Sequence, residues 1–173
     1  MAYRTKTYIA AEWDGDRDLV EQLHRKWNDS DHWSLHFLDA HEMGESRDSC
    51  LNCTIKDSLA DRLAHSKTFV LIVGENTSSA RSGSCAYCSD YSGALRGCRR
   101  GHSVDMRSYI EYECEYASRN IPNIVVLYNY LSVHRDKCPG VLRYEGKHLP
   151  AYYRADDGKF YWDYFAIKEA LNA

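Results

Sequence analysis

The run Thr68-Phe69-Val70-Leu71-Ile72-Val73, closed by Gly74, constrains this chain more than any other segment. Six consecutive apolar or β-branched residues leave no polar face, so a strand built from them has to be covered on both sides, as in a parallel sheet between helical layers. A second such run, Ile124 to Tyr128, and a shorter β-leaning one, Thr7 to Ala11, predict two more strands, and Trp33 to Leu38 predicts a fourth. Helical patterns lie between them. Leu19, Val20, Leu23 and Trp27 recur on one face, with Arg17, Glu21 and Arg25 opposite, after a turn cluster Trp13-Asp14-Gly15-Asp16 in which Asp16 serves as N-cap. Ile55, Leu59 and Leu63 are spaced four apart, and a third helix is expected over Val104 to Arg119, ended by Asn120 and Pro122. Strand and helix thus alternate from residue 7 to residue 128, which predicts an α/β fold with a doubly wound parallel sheet.

With a flavodoxin-like strand order, the ligand crevice lies between the carboxyl ends of the first and third strands. The chain has 173 residues and is read as one domain: a core of about 5–130, a Cys-rich insertion at 75–103 and a C-terminal extension at 131–173. That extension is turn-rich around Pro139-Gly140 and ends in a helix expected from Tyr161 to Leu171. Hydrophobic residues at 44% and charged residues at 27% exclude a disordered chain. A net charge of -3 provides no field to draw nucleic acid or an anionic membrane, so neither is expected as a partner. No apolar run reaches the roughly 18 residues of a membrane span, and no apolar stretch follows Met1 to Lys6, so a cytoplasmic protein is expected. In that reducing compartment the seven cysteines read as thiols or metal ligands rather than disulfides.

Two constellations carry chemistry. On the third helix, Met106, Ile110, Glu113 and Ala117 fall at i, i+4, i+7 and i+11, which puts Glu113 on the apolar stripe with Cys114 beside it. Glu111 and Glu115 fall on the solvent side, where Glu115 can pair with Arg119. A carboxylate on a core-facing stripe is either a stripe-edge residue reaching for water or part of an active site. The second constellation is Cys85-x2-Cys88-x9-Cys98-x3-His102 in the long insertion, with the local spacing of a tetrahedral structural zinc site. Cys50-x2-Cys53 supplies a competing pair for a four-cysteine site joining two loops, and reduced, unliganded thiols are the plain alternative. Cys114 and Cys138 read as lone thiols, and Arg96, Arg99, Arg100 with His102 as a solvated basic face. His24, His32, His36 and His41 show no metal spacing, and no glycine-rich phosphate loop is present. The fourteen tyrosines, including Tyr152, Tyr153, Tyr161 and Tyr164 near the C-terminus, predict a packing or self-association surface.

The segments KTYIAAEWDGDRDL, TIKDSLADRLAHSKTFVLIVGENT and SYIEYECEYASRNIPNIVVLY resemble the TIR-like domains of bacteria, including the TIR components of Thoeris anti-phage systems. The likeness covers about residues 5–130, and its most specific piece is Ser108-x4-Glu113-x3-Ala117 with Tyr109 four before the glutamate. It implies a TIR-like, flavodoxin-like fold and an NAD hydrolase or cyclase whose catalytic glutamate is Glu113, with Tyr109 in the aromatic position. NAD would be a consumed substrate, and its cleavage would make an ADP-ribose-type, cyclic nucleotide signal that activates a separate effector protein in antiviral defence. A phage-derived trigger or homo-oligomer would switch it on. Trp13 and Asp14, after the first strand, are candidate contacts to a base and a ribose hydroxyl. The stretch there reads Ala10-Ala11-Glu12, where the family has an aromatic-Ser pattern. That departure supports the alternative of a non-catalytic TIR-like module signalling by self-association.

Overall fold

The two long apolar runs lie side by side at the middle of a five-stranded sheet. The computed structural model describes residues 6–28, 38–39 and 52–172, with the side chains of residues 13, 14, 25, 26, 28, 38 and 39 outside that description. The main elements are β1 (Lys6–Ala10), α1 (Trp13–Glu21), β2 (Leu38–Asp39), α2 (Asn52–Ala64), β3 (Ser66–Val73), β4 (Tyr91–Ser92), β5 (Gly97–Cys98), α3 (Tyr109–Asn120), β6 (Asn123–Tyr128), β7 (Lys147–Pro150), β8 (Tyr152–Arg154), β9 (Phe160–Trp162) and α4 (Tyr164–Leu171). The sheet order is β2-β1-β3-β6-β7 and every pairing in it is parallel, the flavodoxin-like arrangement expected.

Alternation along the central strands sends side chains into two cores. Tyr8, Phe69, Leu71, Val126 and Tyr128 pack with Leu63 of α2 and with Ile110, Cys114 and Ala117 of α3. Ile9, Val70, Ile72, Val125 and Leu127 pack with Leu19 and Val20 of α1, with Leu23 in the π-helical turn that follows it, and with Ile167 and Ala170 of α4. Each of the large aliphatic side chains buried this way contributes about 1.5–3 kcal/mol, which explains why two uninterrupted apolar runs suffice to organise the sheet.

Several expectations are corrected. Helix α1 begins at Trp13, inside the supposed turn cluster, and its N-cap is Glu12, whose carboxylate accepts the Gly15 amide at 2.9 Å. Asp16 is therefore not the cap but a buried residue in the first turn, because the same 3.6-residue stripe that carries Leu19 and Val20 passes through it. Helix α3 starts at Tyr109 rather than Val104, because Ser108 and Glu111 form a reciprocal capping box there. Met106 thus precedes the helix and is 49% exposed, off the stripe assigned to it. Tyr161 lies in β9, and α4 starts after an Asp163 cap. The stretch read as a C-terminal extension supplies β7 to the main sheet and α4 to one core. Of the strand expected over Trp33 to Leu38, all but Leu38 lies outside the described residues. Among the described residues, no helix is long and apolar enough to cross a membrane.

The residue after β3 is glycine for a steric reason: a Cβ at Gly74 would stand 2.0 Å from Asp16 Oδ1. Gly74→Ala is expected to destabilise the fold by about 3 kcal/mol in chemical denaturation, and by clearly less in an Asp16→Ala background, where the clashing carboxyl is gone.

Candidate functional site

Glu113 sits in the second turn of α3 and is 7% exposed. The capping box fixes where the helix begins, and with it the stripe of Ile110, Glu113, Cys114 and Ala117 that faces the sheet. Tyr8, in the middle of β1 and wholly buried, donates its hydroxyl to Glu113 Oε1, while its ring stacks on Phe69 at 5.9 Å. A residue of the first strand thereby orients a carboxyl of the third α-helix. Burial, reinforced by the neighbouring Glu113, pushes the Cys114 thiol well above its ordinary range, so it is an inert core group. Tyr8→Phe removes one hydrogen-bond donor from a buried carboxyl and is expected to cost about 1–3 kcal/mol in urea unfolding; an unchanged midpoint would show that the hydroxyl does not stabilise Glu113.

Glu111 and Glu115 are engaged elsewhere. Glu111 Oε2 accepts the Ser108 amide, and Glu115 Oε2 bonds Arg107 at 2.7 Å and meets Arg119 at 3.4 Å. Both line an open groove of about 520 Å³ between the loop after β3, the approach to α3 and the turn at 138–143. Arg107 and Arg143 also face it, whereas Glu113 is not among its lining residues.

On the opposite face, Asp16 is 1% exposed and packs against Gly74 at the end of β3, beside the β1/β3 position where the strand order reverses. Asn129, which follows β6, donates to Asp16 Oδ1 at 2.9 Å and accepts the Tyr152 hydroxyl at 3.0 Å, while Oδ2 has no hydrogen-bond partner among the described residues. Burial pushes the Asp16 carboxyl up to about 6, against a lowering by the Asn129 bond and with a further push from the Glu12 charge. Sequence reasoning placed Asp16 at a cap and missed this role, although its spacing of three and four from Leu19 and Val20 already put it on the buried stripe.

The other expected site residues separate into groups. Tyr109 is half-buried, donates to Asn52 Oδ1 at 3.0 Å and lies against Gly83, whose φ of 92° and lack of a side chain admit its ring. The side chains of Trp13 and Asp14 lie outside the described residues, as do Cys50, His32, His36 and His41. Cys85, Cys88, Cys98 and His102 all line one small cavity, together with Cys53 of α2. Among the described residues, no group of three or more His, Cys, Asp or Glu already stands at metal-holding separations. Cys114 and Cys138 are buried free thiols, as expected. Arg100 of the basic cluster pairs with Asp90 at 3.0 Å. Sequence reasoning also missed Lys56, a lysine only 3% exposed that donates to the Arg107 carbonyl at 2.6 Å and meets Asp105 at 3.3 Å, anchoring the loop ahead of α3.

Residues 8–82 match the family model described as Thoeris protein ThsB, TIR-like domain. The matched segment runs from β1 into the insertion and stops before α3. No curated protein matches the chain.

Proposed function

Since the chain carries a TIR-like domain of the Thoeris type, we propose that it is an NAD-consuming enzyme of anti-phage defence in which Glu113 is the catalytic carboxylate. The observation that carries this reading is a carboxyl buried on the sheet-facing stripe of α3 and held by Tyr8, a costly placement of the kind active sites retain. The bond broken joins the nicotinamide ring nitrogen to ribose C1′. Its electron pair leaves with nicotinamide, whose ring nitrogen is positively charged in NAD and neutral afterwards, so no acid has to protonate the leaving group. Positive charge develops on the ribose, and a fixed carboxylate beside it lowers the barrier. Water attacking C1′ gives ADP-ribose and a proton; a nucleophile of the same nucleotide gives a cyclic product and a proton. The cyclic product is the signal we assign to a separate effector.

In this reading Tyr8 aims Glu113, Tyr109 forms a wall of the substrate site, and Trp13 and Asp14 contact the base and a ribose hydroxyl. The closure of Glu113 to 7% exposure corresponds to a resting state, opened by a phage-derived trigger or by assembly in the cytoplasm. The test is incubation with NAD, with and without lysate of phage-infected cells, following nicotinamide and ADP-ribose species by mass spectrometry. Nicotinamide release supports the enzyme; its absence under every trigger would overturn it. A second reading, signalling by self-association without chemistry, is favoured by the aromatic surface of the β8–β9 hairpin and α4, where Phe160 is 58% and Phe165 72% exposed. It predicts concentration-dependent assembly in sedimentation with no loss of NAD.

A further inference from the structure

We propose that Cys53, Cys85, Cys88 and Cys98 form a structural zinc site that ties α2 to the insertion between β3 and α3. The four thiols come from three separated segments and, with His102, line a single cavity of about 10 Å³, room for one water-sized occupant. Cys85 and Cys88 are brought together by a tight turn in which the Cys88 amide bonds the Cys85 carbonyl at 3.0 Å. The short β4–β5 hairpin then returns the chain so that Cys98 pairs with Tyr91, which itself bonds back to the Cys88 carbonyl at 3.1 Å. Cys53 enters from the first turn of α2. The Cys85 sulfur accepts the Asp105 amide at 3.4 Å, a contact of the outer-shell kind that orients a metal ligand.

The number of sulfurs selects the occupant. Four cysteines could also pair as two disulfides, but all four are free thiols in the structure, and four thiolates are the ligand set of a closed tetrahedral zinc site. Cys85 is buried and Cys53, Cys88 and Cys98 are half-buried, while His102 is exposed, so the four sulfurs are the shell and His102 is dispensable. Among the described residues no three of these groups are placed to hold an ion as they stand, so binding requires the sulfurs to close around the metal. Four protein ligands leave no position for water, and the metal is structural. Its mechanical effect follows from the surrounding bonds. The Cys85 amide bonds the Asp105 carbonyl at 3.0 Å, the Asn52 side chain donates to the Ser84 carbonyl at 3.1 Å, and the Tyr109 amide bonds the Ser82 carbonyl at 2.8 Å. A pinned insertion therefore pins Tyr109 and the start of the Glu113 helix.

The experiment uses the full chain, purified under reducing conditions from zinc-supplemented cells, and reads metal content by mass spectrometry. The expected result is one zinc per chain. After metal removal, cobalt(II) should titrate in with intense thiolate-to-metal charge transfer and tetrahedral ligand-field bands, and zinc should displace it. The Cys85→Ser/Cys88→Ser variant should fall to near zero metal, and Cys53→Ser and Cys98→Ser should lose most of it. His102→Ala and Cys114→Ser should retain the full equivalent. A wild-type chain that takes up neither ion, a cobalt spectrum without charge transfer, metal retained in the double variant, or loss in His102→Ala with retention in Cys53→Ser would each overturn the site. The cobalt spectrum is read on the wild-type chain, so it stands even where a variant fails to fold. None of these readouts involves NAD, so the metal site stands or falls apart from the catalytic reading.

Discussion

Glu113→Gln is expected to lower NAD consumption by roughly a hundredfold to a thousandfold while leaving the fold intact. Glutamine matches the volume of glutamate, and its side-chain oxygen can still accept the Tyr8 hydroxyl, so the contact between β1 and α3 survives. What the substitution removes is negative charge beside the ribose at the moment the ribose becomes cationic. The neighbouring glutamates serve as internal controls because their bonds differ. Glu115 is tied to Arg107 and Arg119, and Glu115→Gln should leave turnover unchanged. Glu111→Gln perturbs the capping box and should cost about 1 kcal/mol of stability without touching the chemistry. The deciding measurements are nicotinamide release by mass spectrometry and a far-ultraviolet circular dichroism spectrum for each variant. Undiminished turnover in Glu113→Gln would remove the carboxylate from the mechanism, and loss in Glu115→Gln would move the chemistry to the open groove.

The central strands and both helical faces were legible because burial on two sides demands uninterrupted apolar runs, and the runs Thr68 to Val73 and Ile124 to Tyr128 fall within β3 and β6. Glu113 was legible for a related reason: a helical stripe is a geometric statement, and the structure places that residue on the stripe as counted. Element starts were not legible from apolar spacing, since a cap is set by one side chain reaching one amide. The Ser108-x-x-Glu111 signature was nevertheless present and marks the observed start of α3. Two features lay beyond local reading. Tyr8 is an alternating strand residue until α3 is placed across from it, 105 positions away. The cysteine cavity likewise needs tertiary structure, because spacing offered both the set Cys85, Cys88, Cys98 and His102 and a four-cysteine site drawing on Cys50 and Cys53, and the packing of α2 against the insertion is what brings Cys53 to the same cavity. Strand β7 was missed because Lys147–Pro150 carries a lysine, a histidine and a proline, which an edge strand tolerates and a periodicity search rejects.

Asp16 should make the protein less stable as pH rises from about 4 to about 6, the reverse of ordinary acid denaturation for that one group. Its carboxyl has an ordinary value of 3.8, and burial raises it to about 6 in the folded chain. Below 3.8 both folded and unfolded chains hold the proton and the group is neutral in the balance. Between the two values the unfolded chain releases the proton while the folded chain keeps it, so stability falls with pH, and above about 6 the penalty is constant. A shift of this size corresponds to about 3 kcal/mol, nearer 2 once residual solvent screening is counted. Asp16→Asn removes the titration while keeping an oxygen for the Asn129 amide, and it places an amide where Oδ2 has no partner among the described residues. The variant is therefore expected to be no more stable than wild type at pH 4 and more stable at pH 8, with the difference moving through the window between them. Urea unfolding of both proteins across that range measures it directly. A difference that stays flat with pH would mean that the carboxyl is ionised in the folded chain and that the Asn129 amide, itself held by the Tyr152 hydroxyl, supports its charge. A difference that moves as expected would leave at the β1/β3 switch point an acid that keeps its proton up to about pH 6, within reach of a proton exchange near neutrality because burial, with the Glu12 charge adding to it, outweighs the Asn129 bond.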